Sequence, residues 1–315
     1  MLISLIVPCY NEAAALPFLY RELCDVTTKL SDYDFEFLLV NDGSKDDTLA
    51  VIKDLAEKDD RIVYLSFARN FGKEAAMYAG FCNAKGDYIA VLDADMQHPP
   101  SLIPEMVEIL NSGEYDCVAA RRESRDGEPK IRSMFSRLFY YIINKISDVN
   151  IASGACDFRL MKKQMVEAIV KMSEYNRFSK GIFGWVGFKT HWLPYKNVER
   201  IAGNTTWSFW SLFKYSLDGF INFSQAPLQV ASVGGIFLTL VSFIMVVFLA
   251  VRKIIFGDPV AGWASTICVI IFIGGIQLFC LGIMGQYIAK IYLETKNRPH
   301  YIVSETNSED VIKIQ

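Results

Sequence analysis

The sequence places two carboxylates and an amide at alternate positions, Asp93, Asp95 and Gln97, in the stretch Val91-Leu92-Asp93-Ala94-Asp95-Met96-Gln97-His98-Pro99-Pro100. Alternate residues of an extended segment point the same way, so both carboxylates can share one face where an apolar strand leaves its sheet. Two hard oxygen ligands there, with Gln97 a further step along, suit an Mg2+ or Mn2+ that keeps water and takes its remaining ligands from a diphosphate. A lone Asp-x-Asp serves equally well as the opening of a turn, with Pro99 and Pro100 starting the next helix. The rest of the chain decides between the two.

Short apolar runs at residues 2–8, 35–40, 62–67 and 88–92 have strand length, and helical patterns at 13–30, up to 57, 71–84 and 99–110 follow them. Strands alternating with helices predict a parallel, doubly wound α/β sheet, whose ligands sit outside the carboxyl ends of its strands. Three of those ends carry polar clusters: Tyr10-Asn11-Glu12, Asn41-Asp42 and Asp93-Ala94-Asp95. Each alone is ordinary turn or cap chemistry. Three at one edge are better explained by a ribose, a base and a metal-diphosphate. No Gly-x-Gly-x-x-Gly follows the first strand and no Gly-x-x-x-x-Gly-Lys-[Ser/Thr] occurs, so metal and arginine must hold the phosphate.

Composition sets the setting. A hydrophobic content of 52% over 315 residues, with mean hydropathy +0.22, predicts a membrane part. The net charge of −3 lacks the basic footprint of a nucleic-acid-coating protein. Seven scattered cysteines with no Cys-x-x-Cys read as reduced thiols facing a cytosol. The apolar N-terminus has no basic region before Asn11-Glu12 and reads as a strand, not a signal peptide.

Val7-Pro8-Cys9-Tyr10-Asn11-Glu12, Val40-Asn41-Asp42-Gly43-Ser44, Arg69-Asn70-Phe71-Gly72-Lys73 and the Asp93 to Pro100 stretch together resemble the inverting family 2 glycosyltransferases of GT-A fold. Within them the chain is most similar to the polyprenyl-phosphate group, the bactoprenol glucosyltransferases and dolichyl-phosphate mannose synthases. The likeness continues through Ser153-Gly154-Ala155-Cys156-Asp157-Phe158-Arg159 and Arg200-Ile201-Ala202-Gly203, and so covers nearly the whole chain. It implies a nucleotide-sugar site at Pro8, Tyr10, Glu12, Asp42, Lys73, Asp93 and Arg200, and acceptor phosphate contacts at Arg121, Arg132 and Ser136. It also implies catalytic residues Asp157 and Asp95, with the metal on Asp95 and Gln97. Asp157 either aligns the sugar or pairs with Arg159. His98 is expected to fix the loop before Pro99, and His191 beside Trp192 to be structural. One departure is that Asn204-Thr205-Thr206 follows Gly203 where many relatives carry a lysine, which removes a diphosphate contact.

The expected organisation is a GT-A domain over 1–205, a mostly parallel α/β sheet that includes an interfacial helix at about 131–147. An amphipathic juxtamembrane helix at 206–226 follows, and then a transmembrane hairpin over 227–292. Spans at about 229–251 and 263–289 are uncharged and long enough for the roughly 30 Å hydrocarbon core, which takes about 20 residues. Ala231 and Gly235 offer a small-xxx-small face for helix contact, and homo-oligomerisation stays open. Lysines and arginines at both ends of the second span leave orientation to the cytosolic donor. The tail, 293–315, is then cytosolic, and from Glu305 its polarity predicts disorder.

The expected reaction moves one sugar, glucose or N-acetylglucosamine, from a UDP-sugar to undecaprenyl phosphate at the cytoplasmic membrane. Polyprenyl phosphate is largely a dianion at neutral pH, its second pKa being about 6, so it needs no strong general base. GDP-mannose as donor, a processive polysaccharide synthase and a non-catalytic nucleotide-binding scaffold are the competing readings. Absence of Gln-x-x-Arg-Trp counts against the synthase, and intact Asp42, Asp93 and Asp95 against the scaffold.

Overall fold

Strands buried on both faces read as continuous apolar runs rather than alternating ones, and that is how the centre of the sheet is written. The structure, a computed structural model, describes residues 1–122, 145, 155–195, 226–256 and 263–314. Its first strands are β1 (Leu2–Cys9), β2 (Asp34–Asn41), β3 (Ile62–Phe67) and β4 (Tyr88–Val91). They are interleaved with α1 (Leu16–Lys29), α2 (Thr48–Lys58) and α3 (Lys73–Asn83). A 3-10 turn, Pro100–Leu102, leads into α4 (Ile103–Asn111). Then come β5 (Cys117–Arg122), β6 (Ala155–Lys162), α5 (Lys163–Lys171), α6 (Ser179–Trp185) and β7 (Thr190–Tyr195). Two long helices, α7 (Ala226–Phe256) and α8 (Trp263–Thr295), precede a last strand, β8 (Val303–Thr306).

The sheet order is β7-β5-β6-β4-β1-β2-β3-β8. β1 pairs in parallel with β2 and β4, β2 with β3, and β5 with β7, whereas β6 runs antiparallel to β4 and β5, and β8 to β3. The sheet is thus mostly parallel, with two reversed strands that a simple βαβ alternation does not predict. Helices cover both faces. Leu16, Leu19 and Leu23 of α1, Ile52 of α2 and Met106 of α4 pack against Ile3, Leu5 and Val7, while α3, α5 and α6 pack against Ile6, Leu38 and Val40. Helix α3 is buried from Ala75 to Phe81, and a Cβ at Gly80 would meet Ile6 Cγ2 at 2.2 Å, so glycine lets this helix lie directly on β1.

Helices α7 and α8 contain apolar windows at Leu228–Met245 and Val269–Thr295, each with mean hydropathy 2.0, long and apolar enough to cross a membrane. Both helices outrun their expected bounds. Arg252 and Lys253, just past the expected end of the first span, belong to the last turns of α7, and α8 continues past Lys290 to Thr295. The interfacial helix at about 131–147, apart from Lys145, and most of the juxtamembrane helix at 206–226 lie outside the described residues.

The expectation of a disordered tail is overturned. Tyr301 is fully buried, stacked on Phe67 at 5.3 Å and set edge-on to Tyr78, and β8 pairs with β3 from Leu65 to Phe67. Asn307 binds Tyr64 N and Ile62 O, and Ile312 N donates to Asn83 Oδ1 at 2.7 Å. Tyr301 and Val303 of this segment are buried, and the pairing of β8 covers the otherwise open edge of β3.

Candidate active site

Parallel strands bring the ends of β1, β2, β3, β4 and β5 to one edge of the sheet, and β6, running the other way, brings its beginning there. The register pairs Val91 of β4 with Arg159 of β6 and Arg121 of β5 with Ala155. Along this edge stand Arg121, Asp157, Asp93, Tyr10, Asp42 and Arg69 in the order of their strands.

The loops after β1 and β2 are laced together. Asn11, at φ 57°, donates its N–H to Ser44 Oγ (3.0 Å) and accepts from Lys45 N through Oδ1 (2.9 Å). Glu12 N donates to Thr48 Oγ1 (2.8 Å), and Asp42 N to Cys9 O (2.9 Å). Tyr10 is left 41% exposed at the mouth, an aromatic face suited to stacking. Pro8 lies beside Val40 on the neighbouring strand. Gly43, at φ +62°, is required by both backbone and space: a Cβ would meet Arg69 C at 2.4 Å.

Asp42 is buried and accepts from Phe71 N (2.6 Å) and Gly72 N (2.9 Å), the backbone just before α3. Burial pushes its carboxyl up to about 6, against the pull of those two N–H groups and of Arg69. Arg69 lies with its guanidinium 3.9 Å over the Phe71 ring. The first role of Asp42 is therefore to shape the 69–72 loop beside the cleft.

At the centre, Lys73 Nζ lies 2.6 Å from Asp93 Oδ1 and 2.7 Å from Asp157 Oδ2. Burial alone would raise both carboxyls; the Lys73 charge outweighs it and holds both below the usual carboxylate range, helped by His98 at Asp93 and by Lys180 at Asp157. Burial would likewise lower Lys73, and Asp157 and Asp93 together hold it well above the ordinary lysine range. Next to it Glu74 accepts from the N–H and hydroxyl of Ser179, which ties the start of α6 to the start of α3. Asp157 therefore pairs with Lys73 and not with Arg159. The Arg159 guanidinium turns inward, 3.6 Å over Phe183, and donates to Cys156 O at 3.0 Å.

Beyond Asp93 the chain keeps its alternation although the strand has ended. Asp93, Asp95 and Gln97 are half-buried, whereas Ala94, Met96 and His98 are buried. Asp95 Oδ1 accepts from Gln97 N at 3.1 Å across Met96, whose φ is 60°. The turn thus keeps Asp95 and Gln97 on the solvent side, as hard oxygen donors. Among the described residues no group of three His, Cys, Asp or Glu side chains would hold a metal unaided, so a cation here would draw the rest of its shell from a diphosphate and water.

Arg121 is the penultimate residue of β5, exposed at the edge beside the start of β6. Arg132, Ser136 and Arg200 lie outside the described residues. His98 is buried as a loop-fixing residue should be, with Tyr195 OH 2.6 Å from its Nδ1. Tyr195 was not singled out by sequence; it ends a short strand, and nothing local marks what it faces. His191, at the far end of the same strand, packs edge-on against Tyr115 at 4.9 Å, away from the cleft.

Comparison with known proteins adds a family to this geometry. The model of Glycosyl transferase family 2 matches residues 4–170. Putative glycosyltransferase CsbB of Bacillus subtilis is 45% identical over 306 residues, covering 97% of this chain and 92% of its own length. The SfII prophage-derived bactoprenol glucosyl transferase of Shigella flexneri is 40% identical over 307 residues, covering 98% of this chain and 99% of its own. A solved glucosyl-3-phosphoglycerate synthase from Mycobacterium tuberculosis, in complex with Mn2+, UDP-glucose and phosphoglyceric acid, superposes with TM-score 0.44 at 18% identity, covering 70% of this chain and 77% of its own.

Proposed function

The chain belongs to glycosyl transferase family 2 and is a glycosyltransferase of GT-A fold, and from that premise we propose that it transfers one glucose from UDP-glucose to undecaprenyl phosphate at the cytoplasmic membrane. The observation that carries this reading is the 40% identity, over 98% of this chain, to a protein named for bactoprenol glucosyl transfer. Two apolar helices attached to a catalytic sheet support it.

In this reading Pro8, Tyr10, Glu12 and Asp42 hold the nucleoside, with Tyr10 stacking and Asp42 shaping the base end through the 69–72 loop. Asp95 and Gln97 hold Mg2+ or Mn2+ on the solvent side of the turn. The cation supplies charge neutralisation of the departing diphosphate, and Arg200 assists it from the chain. Asp93, Lys73 and Asp157 face the sugar, presenting acceptors and a donor to its hydroxyls at fixed positions. The acceptor phosphate is already a nucleophile, so the chain must overcome repulsion between two anions; Arg121, Arg132 and Ser136 do so. A phosphate oxygen forms the new bond to the anomeric carbon as the bond to the diphosphate breaks on the opposite side. UDP leaves with that electron pair, and the configuration inverts.

The proposed organisation is a catalytic unit over 1–205, a juxtamembrane helix at 206–226, the hairpin over 227–292, and the tail. A hairpin returns the chain to the side it left, and each span must satisfy its backbone as a helix and cross once. Pairing of β8 with β3 supports this topology, because a tail that joins the catalytic sheet lies on the same side as that sheet. The segment around Asp258, outside the described residues, then lies on the opposite face. The docking of α8 supports a fixed distance between sheet and bilayer: Tyr175 N donates to Glu294 near its end (2.8 Å), and His300 Nε2 lies 3.1 Å from Ser173 O.

Membranes containing the protein, given undecaprenyl phosphate and radiolabelled UDP-glucose, UDP-N-acetylglucosamine or GDP-mannose in parallel, test the reading. Label in the lipid fraction is expected from UDP-glucose. Label only from GDP-mannose would replace the donor, and label from none would remove the acceptor.

A further inference from the structure

Behind Asp93 runs a buried polar string that the transfer outlined above does not use. His98 Nε2 faces Asp93 Oδ2 at 3.6 Å, an electrostatic contact longer than a hydrogen bond, and Nδ1 lies 2.6 Å from the Tyr195 hydroxyl. That hydroxyl lies 3.3 Å from Cys156 Sγ. The imidazole stacks on Phe158 (6.0 Å, 22°) and meets the Tyr195 ring edge-on (5.4 Å, 77°). His98 and Tyr195 are each 4% exposed.

Burying such groups costs free energy unless they are paired, and an apolar filling would pack as well. A string that only satisfied itself would need no particular direction. This one has a direction. A carboxylate only accepts, so the electrostatic contact favours the ring proton on Nε2, the side that faces Asp93, which leaves Nδ1 to accept from the Tyr195 O–H. Tyr195 thereby fixes both tautomer and ring angle. The two oxygens of Asp93 are divided, Oδ2 toward His98 and Oδ1 to Lys73 at 2.6 Å.

We propose that Tyr195 and His98 are positioning residues for sugar transfer: Tyr195 orients His98, His98 orients Asp93, and Asp93 presents the Lys73 ammonium to the donor sugar beside Asp157. The inference rests on the reading of Asp93, Lys73 and Asp157 as the sugar end of the site. Neither Tyr195 nor His98 touches substrate. Their effect is on the rate of transfer once donor is bound, in the way that partners behind a metal ligand or catalytic base act through the group they hold.

The test uses full-length protein in membranes, with UDP-glucose and undecaprenyl phosphate. Tyr195→Phe removes one oxygen and keeps the ring, so the fold is retained and is checked by melting. Its kcat is expected to fall about tenfold, with the KM for UDP-glucose within about twofold of wild type. With 15N-labelled histidine, His98 is expected to show a single Nε2–H tautomer in the wild type and a mixture in Tyr195→Phe. His98→Gln, whose amide offers an acceptor toward Tyr195 and a donor toward Asp93, is expected to recover most of the rate lost in His98→Leu. Wild-type kcat in Tyr195→Phe, or equal rates in His98→Gln and His98→Leu, would overturn the proposal. Asp93→Asn separates the two levels of the argument. If it is inactive while Tyr195→Phe is fully active, only the positioning role fails; if it is fully active, the sugar-site reading fails and the positioning role with it.

Discussion

Asp93 and Asp157 face each other across a single ammonium, that of Lys73, from neighbouring strands that run in opposite directions. Two half-buried carboxylates that share one site do not both stay ionised readily without a cation between them. Lys73 keeps them charged, and it stands at the first position of α3 because Gly72, at φ 99°, turns the chain into the helix there.

Replacing Lys73 with methionine should cut transfer by about a hundredfold or more, since an electrostatic group aimed at the reacting sugar is lost, and Lys73→Arg should retain more activity than Lys73→Met. The stability effect has a sign in pH. Both carboxyls are depressed in the folded protein, so the stabilisation from the trio is complete above the ordinary carboxylate range and is lost only as pH falls through their lowered values. Melting temperatures of wild type and Lys73→Met should therefore differ most at neutral pH and converge in strong acid.

Asp42 works in the opposite sense. Its folded value of about 6 lies above the unfolded 3.8, so the folded state holds the proton more tightly and the wild type loses stability as pH rises through that window. The melting temperature of Asp42→Asn relative to wild type should rise between pH 4 and pH 7. A difference that stays flat over this range would mean that Asp42 is not under a burial penalty.

The tail is held by burial more than by charge. Its ion pair Lys53–Glu305 (2.6 Å) joins side chains 40% and 43% exposed, a kind of pair worth little. Tyr301, by contrast, is enclosed by Phe67 and Tyr78. Tyr301→Ala should cost about 3–5 kcal/mol in unfolding measurements, as large aromatic truncations do. Truncation before His300 should uncover the β3 edge and produce aggregation that light scattering detects.

Arg121→Ala should raise the KM for undecaprenyl phosphate far more than that for the donor, because a charge-assisted hydrogen bond to phosphate is worth roughly 1.5–3 kcal/mol. Arg132→Ala should behave alike. Equal effects on both substrates would move these arginines away from the acceptor.

What sequence made legible was whatever local pattern determines. Strand β3 spans the expected 62–67, and the polar strand ends meet at one edge because parallel strands must bring their carboxyl ends together. What it hid were pairings across the fold. Asp157 has Arg159 two residues away, yet its partner comes from α3, since β6 enters the sheet reversed. Glu305 to Asp310 is polar enough to read as solvated, and only the open edge of β3 makes a strand of its beginning. Tyr195 meets His98 through a sheet order that no local spacing encodes.

The most direct measurement compares wild type with Asp95→Ala in transfer of label from UDP-glucose to undecaprenyl phosphate, with and without excess EDTA. Asp95 is half-buried at a turn and fills no core volume, so the variant should melt like wild type. Labelled lipid from the wild type, abolished by EDTA or by Asp95→Ala, is the predicted result. Full transfer by a folded Asp95→Ala, or by the wild type in EDTA, would contradict the account of this edge as a metal-assisted sugar-transfer site.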